Sequence, residues 1–168
     1  MKNLKYLVLA SFALMAACKS SEKVSKTNPV KEEYTSASMY GDSLFFYMER
    51  TPCFGRCPVY TLHIYPDGKM VYEGKQFSKL EGYYTTQVTK EFMNDLALYA
   101  KRISYFNLED TYDAAVTDLP TTITEMWYKD QHHKIINRYG GPDELSKFQN
   151  FVDELISGIS TWETIAQD

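Results

Sequence analysis

Cys53 and Cys57, in the run TPCFGRCPVY, are the residues of this chain whose type and spacing best suit chemistry. A thiol pair can close a structural disulfide, exchange electrons, or ligate a soft metal ion. Five extended residues would hold the two Cα atoms roughly 13 Å apart, beyond disulfide reach. A bond therefore needs the chain to turn, and Gly55 permits a turn. In the chain-entropy model so small a loop contributes only about 2 kcal/mol. Its main effect would be to fix how the backbone enters the strand that starts near Pro58.

Exchange chemistry asks for a lowered thiol pKa, which a helix N-terminus commonly supplies. Here Pro58 biases Cys57 toward an extended conformation, and VYTLHIY after it has strand character. Only Arg56 offers a nearby positive charge. A metal would have to recruit His63, His132 or His133, and no spacing rule selects them. The C-x-x-x-C-P spacing resembles the copper-handling motif of Sco-type thioredoxin-like proteins. Those place the motif between a strand and a helix and add a distant His; the helix has no counterpart in this pattern. A structural disulfide is the expectation, with a thiol-disulfide or copper-handling pair at Cys53 and Cys57 as the alternative function.

Other chemistry-bearing residues read as structural. His132 and His133 sit beside a turn signal and fit a solvated hairpin tip, while His63 alternates with strand neighbours. Glu109, Asp110, Asp113 and Asp118 lack the alternating ligands and terminal Glu of a calcium loop. They fit a solvated acidic connection; a hydrolase or isomerase site near Asp113 and Asp118 is the reading set against it. Asp118 stands apart, since Thr117-Asp118-Leu119-Pro120 can cap the next strand, and Arg50 or Arg56 could pair with it. No nucleophile elbow, phosphate-binding glycine loop or H-E-x-x-H run occurs. No catalytic residue, metal ligand or cofactor is expected.

The elements that must position these residues are legible in the periodicity. DSLFFYMER (42–50) has the continuous apolar centre of an inner strand. Two aromatic and β-branched runs flank Pro66-Asp67-Gly68, a hairpin turn with a mechanism: proline presets φ, Asp bonds the nearby backbone, and Gly accepts positive φ. Tyr60, Leu62 and Ile64 should share one face of that hairpin; Thr61, His63 and Tyr65 share the other. Residues 82–89 read as a further strand. Residues 89–103 change to helical period, with Thr89 as N-cap and a stripe of Phe92, Leu96, Tyr99 or Ala100, and Ile103. Residues 122–139 predict a second hairpin turning around Asp130-Gln131. Residues 140–160 predict a second amphipathic helix on Leu145, Phe148, Val152, Leu155 and Ile159. The order β-β-β-β-α-β-β-α implies an α+β fold: an antiparallel sheet of about six strands with two helices on one face. The domain should span 41–162, with 163–168 as a C-terminal tail.

Composition bounds the partners. The 168 residues suit one domain, and hydrophobic content of 44% suits an ordinary core. Tyr occurs 14 times, and Tyr favours half-buried sheet surfaces with its hydroxyl wet. The formal charge of −4, with no basic stripe, argues against nucleic acid.

The N-terminus reads as an address. Lys2 and Lys5 precede an apolar run from Tyr6 to Ala17 of signal-peptide length. Met15, Ala16 and Ala17 before Cys18 resemble the lipobox of bacterial lipoproteins, with Met less usual than Leu at the first position. That resemblance implies cleavage before Cys18 and acylation of Cys18, which would anchor the chain to membrane lipid without a spanning helix. Residues 18–40 are rich in Lys, Glu, Ser and Thr and read as a tether whose random-coil span is about 25 Å.

A longer pattern, R-T-P-C-F-G-x-C-P-x-Y followed by a strand and a D-G turn, is met by Arg50, Thr51, Pro52, Cys53, Phe54, Gly55, Cys57, Pro58 and Tyr60, then by Asp67 and Gly68. A second patch is met by Tyr112, Thr117, Asp118 and Pro120, and a third by Gly140 and Pro142. These resemble a family of lipoproteins and exported proteins of Bacteroidetes-type bacteria whose domain has no assigned function. The resemblance covers residues 43–160 and implies a cell-envelope location, outer membrane above all. It carries no activity. Together the readings describe a membrane-anchored interaction module without catalysis, contacting an envelope protein or ligand.

Overall fold

The computed structural model describes residues 44–166. The signal segment, Cys18 and the tether lie outside the described residues. The strands are β1 (Phe46–Arg50), β2 (Tyr60–Ile64), β3 (Lys69–Gly74), β4 (Gly82–Gln87), β5 (Thr111–Tyr112), β6 (Thr122–Tyr128), β7 (Gln131–Asn137) and β8 (Glu163–Thr164). The helices are α1 (Lys90–Arg102) and α2 (Asp143–Gly158), with a 3-10 turn at Tyr105–Asn107. Among the described residues all eight strands form one sheet in the order β5-β7-β6-β1-β2-β3-β4-β8.

The mixed α+β class agrees with the sequence reading, and the finer layout departs from it. Eight strands replace about six, because β5 and β8 are two residues each and so short a strand leaves no periodicity to read. The sheet is not antiparallel throughout: β5 runs parallel to β7. The expected tail at 163–168 contributes β8, which pairs with β4 through Tyr84–Thr164 and Thr85–Glu163. Trp162 leads into it, its ring centroid 5.5 Å from that of Tyr72 and 6.4 Å from that of Tyr84.

Strand alternation builds the core. Phe46 and Met48 of β1 lie opposite Ile64 and Leu62 of β2, and Leu62 and Ile64 opposite Tyr72 and Met70 of β3. These residues, with Tyr60, Met126 and Ile135, are buried together with Met93, Leu96, Ala97 and Ala100 of α1 and Leu145, Phe148, Val152 and Ile156 of α2. As period 2 requires, Thr61 and His63 face the other side and stay half-buried.

Both helical stripes agree with the expected ones in part: Leu96 and Ala100 of α1 and Leu145, Phe148 and Val152 of α2 are buried, and the edges of each stripe differ. Thr89 caps α1, its hydroxyl accepting the Phe92 N–H. The buried line, however, runs through Met93 and Ala97, and Phe92, Tyr99 and Ile103 fall on its rim. Tyr99 instead fills the seam between helices, 4.9 Å from Phe151. On α2, Ile156 is buried while Leu155 and Ile159 are half-buried. The second hairpin turns one residue early: Tyr128 pairs with Gln131, leaving Lys129 and Asp130 in the turn, with Lys129 at φ 57°.

Candidate functional site

The run from Arg50 to Tyr60 leaves β1, crosses the end of the sheet and returns as β2, so both its ends are fixed by adjacent paired strands. Within it Cys53 and Cys57 are disulfide-bonded, with their Cα atoms 5.8 Å apart. The Gly55 N–H donates to the Cys53 carbonyl at 2.9 Å and closes the tight turn that the bond needs. Gly55 makes the turn without positive φ, and a Cβ there would lie at an ordinary 3.7 Å from Cys53 Sγ. The latitude expected of Gly55 is therefore unused.

Neighbouring segments pin the loop. The Thr51 N–H donates to the Thr121 carbonyl at 3.0 Å, and the Thr121 N–H to the Thr51 hydroxyl at 2.8 Å. The Phe54 N–H donates to the Asp118 carbonyl at 3.3 Å. On the other flank, Val59 exchanges backbone bonds with Gln76 and Lys75 at 2.8 and 2.9 Å. The outcome is a rigid tip whose foremost side chain, Phe54, is 90% exposed. Leu119, next to the Asp118 carbonyl in sequence, and Phe77 are also exposed. The Arg56 guanidinium stacks over the Phe77 ring at 5.5 Å.

Asp118 supports the loop through its backbone, in the left-handed region at φ 67°, a conformation that Asp tolerates better than most residues. Its carboxylate accepts the Thr117 hydroxyl at 3.0 Å. The ion pair that Asp118 could have made with Arg50 or Arg56 does not form. Arg56 is engaged with Phe77, and Arg50 with Asp153 on α2. The reason is direction: Arg50 lies in register with Tyr60 and Thr122, both buried on the helix-covered side, so its side chain points toward α2.

Arg50, Tyr60 and Asp153 form a compact polar network beneath the tip. Arg50 Nε donates to Asp153 Oδ1 at 3.2 Å and its terminal nitrogen to Oδ2. The other terminal nitrogen donates to the Thr122 hydroxyl at 3.0 Å. The Tyr60 hydroxyl donates to Asp153 Oδ1 as well. Burial works against the Arg50 charge, but the hydrogen bonds and attraction from Asp153 outweigh it and raise its pKa. Burial, reinforced by Asp153, raises the Tyr60 phenol far above its ordinary value. Both groups therefore stay in one protonation state at neutral pH. A cleft of about 210 Å³ opens beside them, lined among others by Tyr60, Tyr72, Asp153 and Ile156. Lys79 Nζ, which also lines it, donates to the Ser157 carbonyl at 2.5 Å.

The open sheet face interleaves rings with carboxylates. Tyr47 lies against His63 with centroids 4.9 Å apart, and Trp127 stacks on His132 at 4.6 Å. Several polar groups of this face pair with one another: the Tyr47 hydroxyl donates to Glu49 at 2.7 Å and the Tyr83 hydroxyl to Glu73 at 2.6 Å. His132 Nε2 lies 2.8 Å from Glu125, and Lys134 3.5 Å from it. His133 turns to the other side, edge-on to Tyr105 at 5.7 Å. The hairpin histidines are therefore not a free pair at a solvated tip.

Glu109, Asp110, Asp113 and Asp118 are all exposed, and no group of three His, Cys, Asp or Glu among the described residues could hold a metal ion. The hydrolase reading loses the gathered carboxylates it required. The thiol-exchange reading lacks its helix, since Cys57 leads through Pro58 into β2.

Asp153 and the exposure of Phe54 are absent from the sequence reading. The signal for Asp153 is a carboxylate beside the apolar stripe of α2, one residue after buried Val152. For Phe54 it is an aromatic residue between two cysteines too close together to enclose a core.

A family model described as a domain of unknown function (DUF6438) matches residues 44–156. No curated protein matches the chain.

Proposed function

The chain belongs to DUF6438, a family whose domain has no assigned function, and on that premise we propose that it is a lipid-anchored envelope module that binds another macromolecule without catalysis. Acylated Cys18 would hold it at the membrane, in the outer membrane above all, with residues 19–40 as tether. The Phe54 tip would be the contact. The carrying observation is the 90% exposure of Phe54 on a loop closed by a disulfide and held by backbone hydrogen bonds on both flanks. Exposing an aromatic ring gains nothing for folding, and holding it rigid lowers the entropy lost when a partner buries it. Aromatic anchors of this kind dominate interface energetics. The open sheet face is the weaker contact surface, because several of its polar groups already pair with one another.

The experiment places a photo-crosslinking amino acid at position 54 of the full chain in intact cells, and the same probe at exposed Lys147 as control. A discrete adduct from position 54 alone is expected. Equal labelling from both positions overturns the contact. In the same cells, an alkyne fatty acid should label the wild type and not Cys18→Ser; equal labelling of the two removes the anchor.

A further inference from the structure

The outer edge of β7 is only half covered. The Ile136 N–H donates to the Asp110 carbonyl and the Arg138 N–H to the Tyr112 carbonyl, each at 2.9 Å. Even-numbered residues of this segment therefore turn their backbone groups away from β6, and odd-numbered ones toward it. His132 and Lys134 share the outward parity, yet β5 pairs only with Ile136 and Asn137. Among the described residues no strand lies beyond His132 and Lys134. A groove of about 360 Å³ marks the vacant lane, bordered by Asp110, Thr111, His132, His133, Lys134 and Ile136.

Such an edge recruits strands unless something guards it. Lysine is a common guard, but the Lys134 ammonium is drawn onto the open face by Glu125, 3.5 Å away, and leaves the lane clear.

We infer that this edge pairs with β7 of a second copy of the chain, joining two sheets across a two-fold axis at His133. The lane dictates the occupant. It is stopped at one end by β5 opposite Ile136 and at the other by the turn at Lys129 and Asp130. An antiparallel copy centred on His133 sets His132 against Lys134 of the second copy, and Lys134 against its His132. All four residues direct both backbone groups into the lane, so each pair exchanges two hydrogen bonds. The turn of the second copy then falls where β5 begins, so the length of the incoming strand matches the length of the gap. At that junction the turn that carries Lys129 and Asp130 comes beside Asp110, whose carboxylate lies 3.7 Å from His133 Nδ1 of its own chain. The surface is distinct from the Phe54 tip and does not depend on the reading given to that tip.

The test uses the full chain with Cys18 retained. Across the axis His133 faces itself in a non-hydrogen-bonded pair, whose Cα separation of about 4.5 Å suits a disulfide. His133→Cys should give a covalent dimer on non-reducing gels, severalfold above the unsubstituted chain and above Glu144→Cys on α2. Light scattering should show mass rising toward a dimer with concentration. Lys134→Pro removes a lane-facing N–H together with the exposed ion pair to Glu125, spares the β6 ladder, and should keep the chain monomeric with only a small drop in thermal midpoint. A monomer at every concentration together with crosslinking no greater than in Glu144→Cys overturns the pairing, as does a dimer that persists in folded Lys134→Pro. If Lys134→Pro fails to fold, the His133→Cys comparison decides alone.

Discussion

Arg50 and Phe54 stand four residues apart and meet opposite environments. Arg50 turns inward and spends its donors on Asp153, Thr122 and Asn150, with its side chain 17% exposed. Phe54 turns outward and touches so little that 90% of it is exposed. The polar residue is enclosed and the apolar one presented, the reverse of ordinary partition. The inversion has a mechanical reading. The network ties β1 and β2 to α2, because Arg50 and Tyr60 converge on one carboxylate from adjacent strands. With both loop ends thus fixed, the disulfide has only to close the short span between them. The clamp sets where the tip is, and the tip owes nothing to burial.

Breaking the clamp should have the largest effect. Asp153→Ala removes the acceptor shared by Arg50 and Tyr60 and leaves a mostly buried guanidinium without its carboxylate. The expected cost is about 2–3 kcal/mol, which lowers the thermal midpoint by roughly 10 °C in a domain of this size. Calorimetry reads it directly. Midpoints within 2 °C of each other would mean that the network is incidental to holding β1, β2 and α2 together.

Opening the loop comes next. Cys53→Ser with Cys57→Ser should cost about 2 kcal/mol, because the closed ring is small. A loss well above the ring-closure value of about 2 kcal/mol would show that the disulfide supports the sheet and not only the tip. Tryptic cleavage at Arg56 sharpens the distinction. It should accelerate in the double serine variant under conditions where the folded domain otherwise resists.

A smaller effect concerns the open face, away from both regions. Burial pulls the His63 pKa below the ordinary imidazole value, with Glu73 opposing more weakly. The folded chain then binds fewer protons here than the unfolded chain. The stability linked to His63 is fully present above about pH 6.5 and is lost as pH falls from there through the depressed folded value. His63→Gln should flatten that part of the stability profile, measured by urea unfolding at successive pH values. An unaltered slope would assign the decline to other groups.

How much of this could be read in the residues depends on the range of the interaction. The β2–β3 hairpin was legible because Pro66-Asp67-Gly68 carries its own turn chemistry, and the Lys69 N–H does donate to Asp67 at 2.9 Å. Thr89 was legible as a cap for the same local reason. The staple was legible because only two cysteines follow Cys18, and local chemistry disfavoured their alternatives. Strands β5 and β8 were not, since they exist only where a distant strand offers an edge. The destination of Arg50 was not, because Asp153 is 103 positions away and no local rule selects it over Asp118. The turn at Lys129 was misplaced by one residue because a lysine with positive φ violates the preference on which turn reading rests. Local chemistry fixed the pieces, and non-local register decided which of them meet.

The finest division of the loop lies within the tip itself. Gly55→Ala should change stability by less than about 0.5 kcal/mol, since Gly55 avoids positive φ and a Cβ would meet only Cys53 Sγ at 3.7 Å. Phe54→Ser should change it as little, because a ring exposed in the folded chain is exposed in the unfolded one too. The two variants then part company. Gly55→Ala keeps the ring and its pinning, so labelling through a probe at exposed Phe77, on the same surface, should persist. Phe54→Ser keeps the fold and removes the anchor, so that labelling should vanish while the melting curve stays in place. Loss of stability in Phe54→Ser would instead place the ring among the groups that hold the fold, and the contrast between an enclosed Arg50 and a presented Phe54 would fail at its outer end.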